Sequence, residues 1–96
     1  MTSSITEEKI QKYFDVTGRA LKKVSIAKEK KIDWKTSAED FFDMAQRYYD
    51  DARHFYSKGE IVTAFAALNY AHGWLDAGAR LGLFDVGHDS QLFTVD

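Results

Sequence analysis

From Ile61 to Leu83 the chain runs for 23 residues with only two formal charges, Asp76 and Arg80. That stretch constrains the fold more than any other. Turned at 100° per residue, Ile61, Ala64, Leu68, Ala71, Leu75, Gly78 and Gly82 advance in steps of three and four, and Phe65, Ala67, Trp74, Ala79 and Leu81 widen the stripe past half the cylinder. A surface helix carries a narrower stripe, so the pattern predicts a central helix wrapped on most sides by the rest of the molecule. Burying each large side chain stabilises by about 1.5–3 kcal/mol, which makes Phe65, Leu68, Trp74 and Leu75 the costliest positions to truncate. Ala66, Gly73 and Ala77 lie opposite the stripe and are small enough to let a second element approach.

Two more amphipathic segments precede it. Ser4 with Glu7 has the form of a capping box, which predicts a first helix starting near Ile5 or Thr6. Ile10, Phe14, Thr17, Leu21, Val24 and Lys28 continue the three-four step to about residue 30, roughly seven turns. Gly18 inside it costs about 1 kcal/mol relative to alanine. Lys22, Lys23, Lys28, Lys30 and Lys31 gather in the last turns, where cations complement the helix dipole. Ile32 to Thr36 reads as a connection, with Trp34 covering one end of the core. Thr36 with Glu39, or Ser37 with Asp40, caps a second helix over about residues 38–58. Its stripe is Ala38, Phe41, Ala45, Tyr48, Ala52 and Phe55, with Phe42, Tyr49 and Tyr56 as a second row. Lys58-Gly59 closes it, glycine supplying a left-handed residue.

Three helices (about 5–30, 38–58 and 61–82) with short connections and no proline predict an all-α fold, an antiparallel up-down-up three-helix bundle in one domain spanning 1–96. The tail from residue 83 to 96 is too apolar to hang free. Phe84, Leu92 and Phe93 are expected to fold back over the bundle near the third helix. The strand-like composition of Gln91 to Val95 leaves docking on another chain by strand addition as the alternative.

At 96 residues the chain is long enough for one core. The absence of cysteine fits a reducing cytoplasm. The opening MTSSITEEKI lacks the basic and apolar regions of a signal peptide, and no apolar run reaches membrane-spanning length, so a soluble cytoplasmic protein with no membrane association is expected. Charge is segregated. Arg19 to Lys35 carries a local +5, whereas Thr36 to Glu60 and Ile61 to Asp96 carry −3 each. Such poles orient a partner or help helices pair.

Within the third helix, Asn69, His72, Asp76 and Arg80 share an arc at the margin of the stripe, so that His72 adjoins Asp76 and Asp76 adjoins Arg80. A carboxylate between an imidazole and a guanidinium is a polar packing seam, or a ligand or interaction site, or the frame of a general base. No nucleophile or second carboxylate is fixed beside it, so no catalytic residue is assigned. Metal ligation needs more than the His72 and Asp76 pair, neither a HExxH motif nor a glycine-rich phosphate loop is present, and no metal or cofactor is expected. Arg47 and His54, six residues apart between them, resemble the Arg, spacer, His arrangement of HEPN ribonucleases, although Asp43, Asp50 and Asp51 surround the pair with charge that repels phosphate.

Ala52, Phe55, Gly59, Ala64, Leu68 and Ala71 stand at the relative spacings by which a tetratricopeptide helix pair packs, and are read as shared helix-pair packing. The segments ITEEKIQKYF, YSKGEIVTAFAALNYAHGWLDAGARLGLF and LFTV together resemble the small archaeal family known as domain of unknown function 357, with YAHGWLDAG the most distinctive piece. The resemblance implies a three-helix bundle in an archaeal cytoplasm and supplies no activity. The leading expectation is therefore a non-enzymatic helical interaction module whose partner is another protein or a second copy of the chain. The alternatives are nucleic-acid binding through Arg19, Lys22, Lys23 and Lys30, with Tyr13 and Trp34 as the nearest aromatics, and a small-ligand or catalytic site at His72, Asp76 and Arg80.

Overall fold

The computed structural model describes residues 4–30 and 32–94. It is all-α, with three helices and no strand among those residues: α1 (Glu7–Lys23), α2 (Trp34–Ser57) and α3 (Ile61–Arg80).

The second and third helices form an antiparallel hairpin. Phe41 meets Trp74 edge to face at 5.0 Å between ring centroids, and Tyr48 meets Tyr70 at 4.4 Å. In the register set by those pairs, Ala38, Ala45 and Ala52 come opposite Gly78, Ala71 and Ala64. The steps are seven residues on both helices, and all but Ala38 are fully buried. A seam of alanine and glycine lets the two backbones approach near the lower end of the 8–10 Å range for packed helices. The tetratricopeptide-like spacing is thus realised as helix-pair packing.

Both hairpin helices end in the same way. Gly59 (φ 78) and Gly82 (φ 75) adopt the left-handed conformation that favours glycine. The N–H after each glycine donates back five residues, from Glu60 to the Phe55 carbonyl at 2.9 Å and from Leu83 to the Gly78 carbonyl at 2.8 Å. These paired Schellman closures satisfy the terminal carbonyls. They fix Gly59 as the hairpin turn, as its position in the sequence suggests, and end α3 at Arg80, two residues before the expected boundary.

Several helix starts differ from expectation. The first helix is capped by Thr6, whose hydroxyl accepts from the Lys9 N–H at 3.1 Å, in place of Ser4. The second begins at Trp34, four residues early, because Asp33 caps it. One Asp33 oxygen accepts from the Lys35 N–H at 3.1 Å and the other from the Thr36 hydroxyl at 2.9 Å. Trp34 consequently sits in the first turn of α2, exposed, and does not cover the core.

The largest differences concern α1. It ends at Lys23, with Val24 already extended (ψ 145). Val24, Ser25 and Ile26 are weak helix formers, and Val24 and Ile26 are exposed, so no packing overrides that preference. Only Lys22 and Lys23 therefore lie in its last turn. Lys28 and Lys30 fall beyond it, and Lys31 lies outside the described residues.

Helix-on-helix contact is confined to α2 and α3, and α1 touches neither. The expectation of an enclosed α3 is met on two sides only, by α2 and by the tail. Phe65 is 64% exposed and Leu68 44%. Ala66, Gly73 and Ala77 face solvent, with no second element against them. The packing that does form is built on small residues, and no large side chain among the described residues is fully buried.

Candidate functional site

Beyond Gly82 the chain turns back along α3. Phe84 lays its ring on Gly78, filling the space a Cβ would occupy there. Phe93 stacks on His72 with ring centroids 6.3 Å apart and planes 27° off parallel. Thr94 completes the clasp: its backbone N–H donates to one oxygen of Asp76 at 2.9 Å and its hydroxyl to the other at 3.0 Å. The expected folding back of the tail is therefore seen for Phe84 and Phe93, while Leu92 stays exposed and Val95 lies outside the described residues. Asp85 and Asp89 support the curl locally, accepting from the N–H groups of Gly87, Gln91 and Leu92.

Between α3 and the returning tail lies an open cleft of about 850 Å³, whose polar lining includes His72, Asp76, Arg80, Asp85 and Gln91. The sequence places Asp76 between His72 and Arg80, and the structure realises half of that. His72 Nε2 stands 3.6 Å from Asp76 Oδ1, an ion pair once the imidazole is protonated. Arg80 makes no ion pair among the described residues, while both Asp76 oxygens accept from Thr94. Asn69 is exposed on α3, one turn before His72 and outside the cleft. Thr94 was not legible as a site residue, since a contact eighteen residues distant leaves no periodic trace.

The Thr94 backbone N–H is the main reason the Asp76 carboxyl is held below its usual value. Partial burial works against that shift, while the Thr94 hydroxyl and the nearby His72 add to it. A carboxylate depressed in the folded state contributes stability above its unfolded pKa, about 3.9, and loses it as pH falls through the lower folded value. The Thr94 amide resonance is accordingly expected to move with the protonation of Asp76, at a pH below the ordinary carboxylate range. An Asp76→Asn chain should show no such step, and a wild-type chain whose Thr94 amide does not move in acid would show that Asp76 is not its partner.

Among the described residues no three His, Cys, Asp or Glu side chains converge on a point that suits a metal ion. Arg47 pairs with Asp43 at 2.9 Å, and the His54 ring lies against Phe55, so neither converges on a phosphate-sized site. The basic candidates spread along α1 and past its end. Arg19 pairs with Asp15 at 2.9 Å, Lys22 and Lys23 are exposed in the last turn, and Lys30 stands in the extended segment. Among the described residues no helix is long and apolar enough to cross a membrane.

The model of a family described as protein of unknown function (DUF357) matches residues 12–84, about three quarters of the chain. The chain belongs to the DUF357 family. No curated protein and no solved structure matches it. The DUF357 match takes in most of α1, all of the hairpin and the Phe84 contact on Gly78. It stops before Phe93 and Thr94, so the outer half of the clasp lies beyond the matched segment.

Proposed function

We propose that this DUF357 chain is a non-enzymatic interaction module that presents apolar helix faces to another polypeptide. One observation carries the reading: the chain exposes far more surface than its size requires. Its accessible area is 8380 Å², whereas a compact monomer of 11.0 kDa exposes about 5600 Å². Its Cα radius of gyration is 16.0 Å against about 12.5 Å for a compact domain of this length. The excess lies on two faces. On α1, the stripe of Ile10, Phe14 and Leu21 is uncovered, and on the hairpin so are Phe42, Phe65 and Leu68. Rows of exposed large apolar side chains such as these mark a protein contact.

The site chemistry supports the same reading. Asp76 is spent on holding the tail, and Arg47 on a helix-surface pair with Asp43. The basic pole supports a nucleic-acid role less well, since Arg19 is paired and its lysines are divided between a helix end and an extended segment.

An isolated helix of 17 residues is marginal in water, so α1 needs a surface to fold against. Hydrogen exchange followed across dilution is the test. Protection of the Ile10 to Leu21 amides is expected to rise with protein concentration or on adding a partner. Full protection in a strict monomer, unchanged by dilution, would mean that the chain satisfies its own faces and would overturn the proposal.

A further inference from the structure

Resting on that reading, we infer that the partner is a second copy of this chain. Each copy's α1 lies in the open face of the other's hairpin, antiparallel to α2, in a reciprocal two-fold exchange.

The hairpin face is laid out to receive a helix. On α2, Phe42, Tyr49 and Tyr56 recur every seven residues; on α3, Ile61, Phe65 and Leu68 recur in steps of four and three; and all six are exposed. The rows lie on the same side of the buried alanine seam, because equal rotations away from an antiparallel contact lead to one face of the pair. The opposite side is already closed by the Phe41–Trp74 and Tyr48–Tyr70 contacts. The tail occupies the α3 margin of the open face only at its far end, from His72 onward. The stretch between Tyr49, Tyr56, Ile61 and Leu68 therefore stays free, and towards Phe42 the tail borders the trough on its α3 side. From Phe42 to Tyr56 the α2 row is about 21 Å long at 1.5 Å per residue, within the ~25 Å of the 17-residue α1.

The α1 stripe fits that trough in one direction. Phe14 and Leu21 are seven residues apart, as are Tyr49 and Phe42, so an antiparallel helix sets Phe14 beside Tyr49 and Leu21 beside Phe42. Charge selects the same direction. The basic end of α1, Arg19, Lys22 and Lys23, then runs beside Glu39, Asp40 and Asp43, and its acidic first turn, Glu7 and Glu8, beside His54 and Lys58. Reversing α1 would set like charges together at both ends.

Area points to a copy of the chain. Stripe and trough are both present once per molecule, so two molecules satisfy four faces and leave none over, with the closed symmetry of most homodimers. The excess exposure of two chains, about 5600 Å² together, lies in the range of obligate homodimers and far above the ~800 Å² of casual contacts. In the single chain α1 ends at an extended Val24 and packs on neither hairpin helix, so its stripe is free to meet a neighbour.

The sequence has no cysteine, so introduced thiols report without background. Chains carrying Leu21→Cys together with Phe42→Cys would be oxidised, run without reductant and weighed by sedimentation. Single-cysteine chains would be mixed in parallel. The expected result is a dimer in solution, a covalent dimer from the double variant, and a mixed covalent dimer from Leu21→Cys plus Phe42→Cys chains. A second pair, Phe14→Cys with Tyr49→Cys, gives the same result if the alignment is right, and circular dichroism checks that each chain keeps its helices.

Three results would overturn the inference, and they bear differently on the reading beneath it. A monomer with an internal disulfide means α1 covers its own hairpin, and the interaction reading falls as well. A monomer with neither disulfide leaves both faces open to a different protein, so that reading stands. A dimer with no disulfide across either pair associates through another face, and again only the exchange is lost.

Discussion

Replacing Ala71 by leucine is expected to lower the stability of the hairpin by roughly 1–3 kcal/mol, towards the upper end of what overpacking usually costs. Ala71 is buried, and the seam sets Ala45 opposite it. A larger side chain there has no cavity to enter and must push two helix backbones apart. That movement reaches the whole seam. Ala52 and Ala64 lie two turns away, and the Tyr48–Tyr70 and Phe41–Trp74 contacts flank the site, so separation loosens both. For a domain of this size a loss of about 2 kcal/mol lowers Tm by roughly 8–16 °C. Urea unfolding followed by far-ultraviolet dichroism measures it. Ala66→Leu is the control, because Ala66 faces solvent on the same helix and its replacement should change stability by less than about 0.5 kcal/mol. Equal effects at the two positions would show that the seam is not close-packed.

The seam was legible in the sequence, and its enclosure was not. Ala45, Ala52, Ala64 and Ala71 sit on the expected stripes, and Gly59 marks the turn between them, because periodicity and turn chemistry are local properties that tertiary structure here leaves intact. The width of the α3 stripe is another matter. It records how much of the helix is apolar, and says nothing of whether one chain has the surface to cover it. Phe65 and Leu68 show the difference: both lie on the stripe and both remain exposed. The length of α1 failed for a related reason. Val24 and Lys28 continue the period, but propensity opposes it at Val24, Ser25 and Ile26, and without a packing partner propensity decides. In the candidate site, spacing correctly brings His72 to Asp76. It could not show that Thr94 would donate to both oxygens of that carboxylate.

Gly78, at the end of the seam, is where a single carbon atom is expected to matter most through the tail. Alanine at an exposed helix-interior glycine normally stabilises by about 0.5–1 kcal/mol, by restricting the unfolded chain. Gly73→Ala should show that gain alone, since nothing lies within 4 Å of the position a Cβ would take there. At Gly78 the same position falls inside the Phe84 ring. The methyl group therefore expels Phe84, and with it the turn that returns the tail to Asp76. Gly78→Ala alone is expected to be destabilising or neutral, the propensity gain offset by the lost ring contact. In a Phe84→Ala background the obstacle is gone, and Gly78→Ala should recover the gain seen at Gly73. The resulting coupling between positions 78 and 84 is expected at about 1–3 kcal/mol, the scale of residues in direct contact. The Thr94 amide gives an independent reading. It should lose exchange protection in Gly78→Ala and keep it in Gly73→Ala, because the Thr94 hydrogen bonds to Asp76 form only when the tail is seated. If Gly78→Ala stabilised the chain as much as Gly73→Ala, with Thr94 still protected, the Phe84 ring would not be what holds the tail against α3.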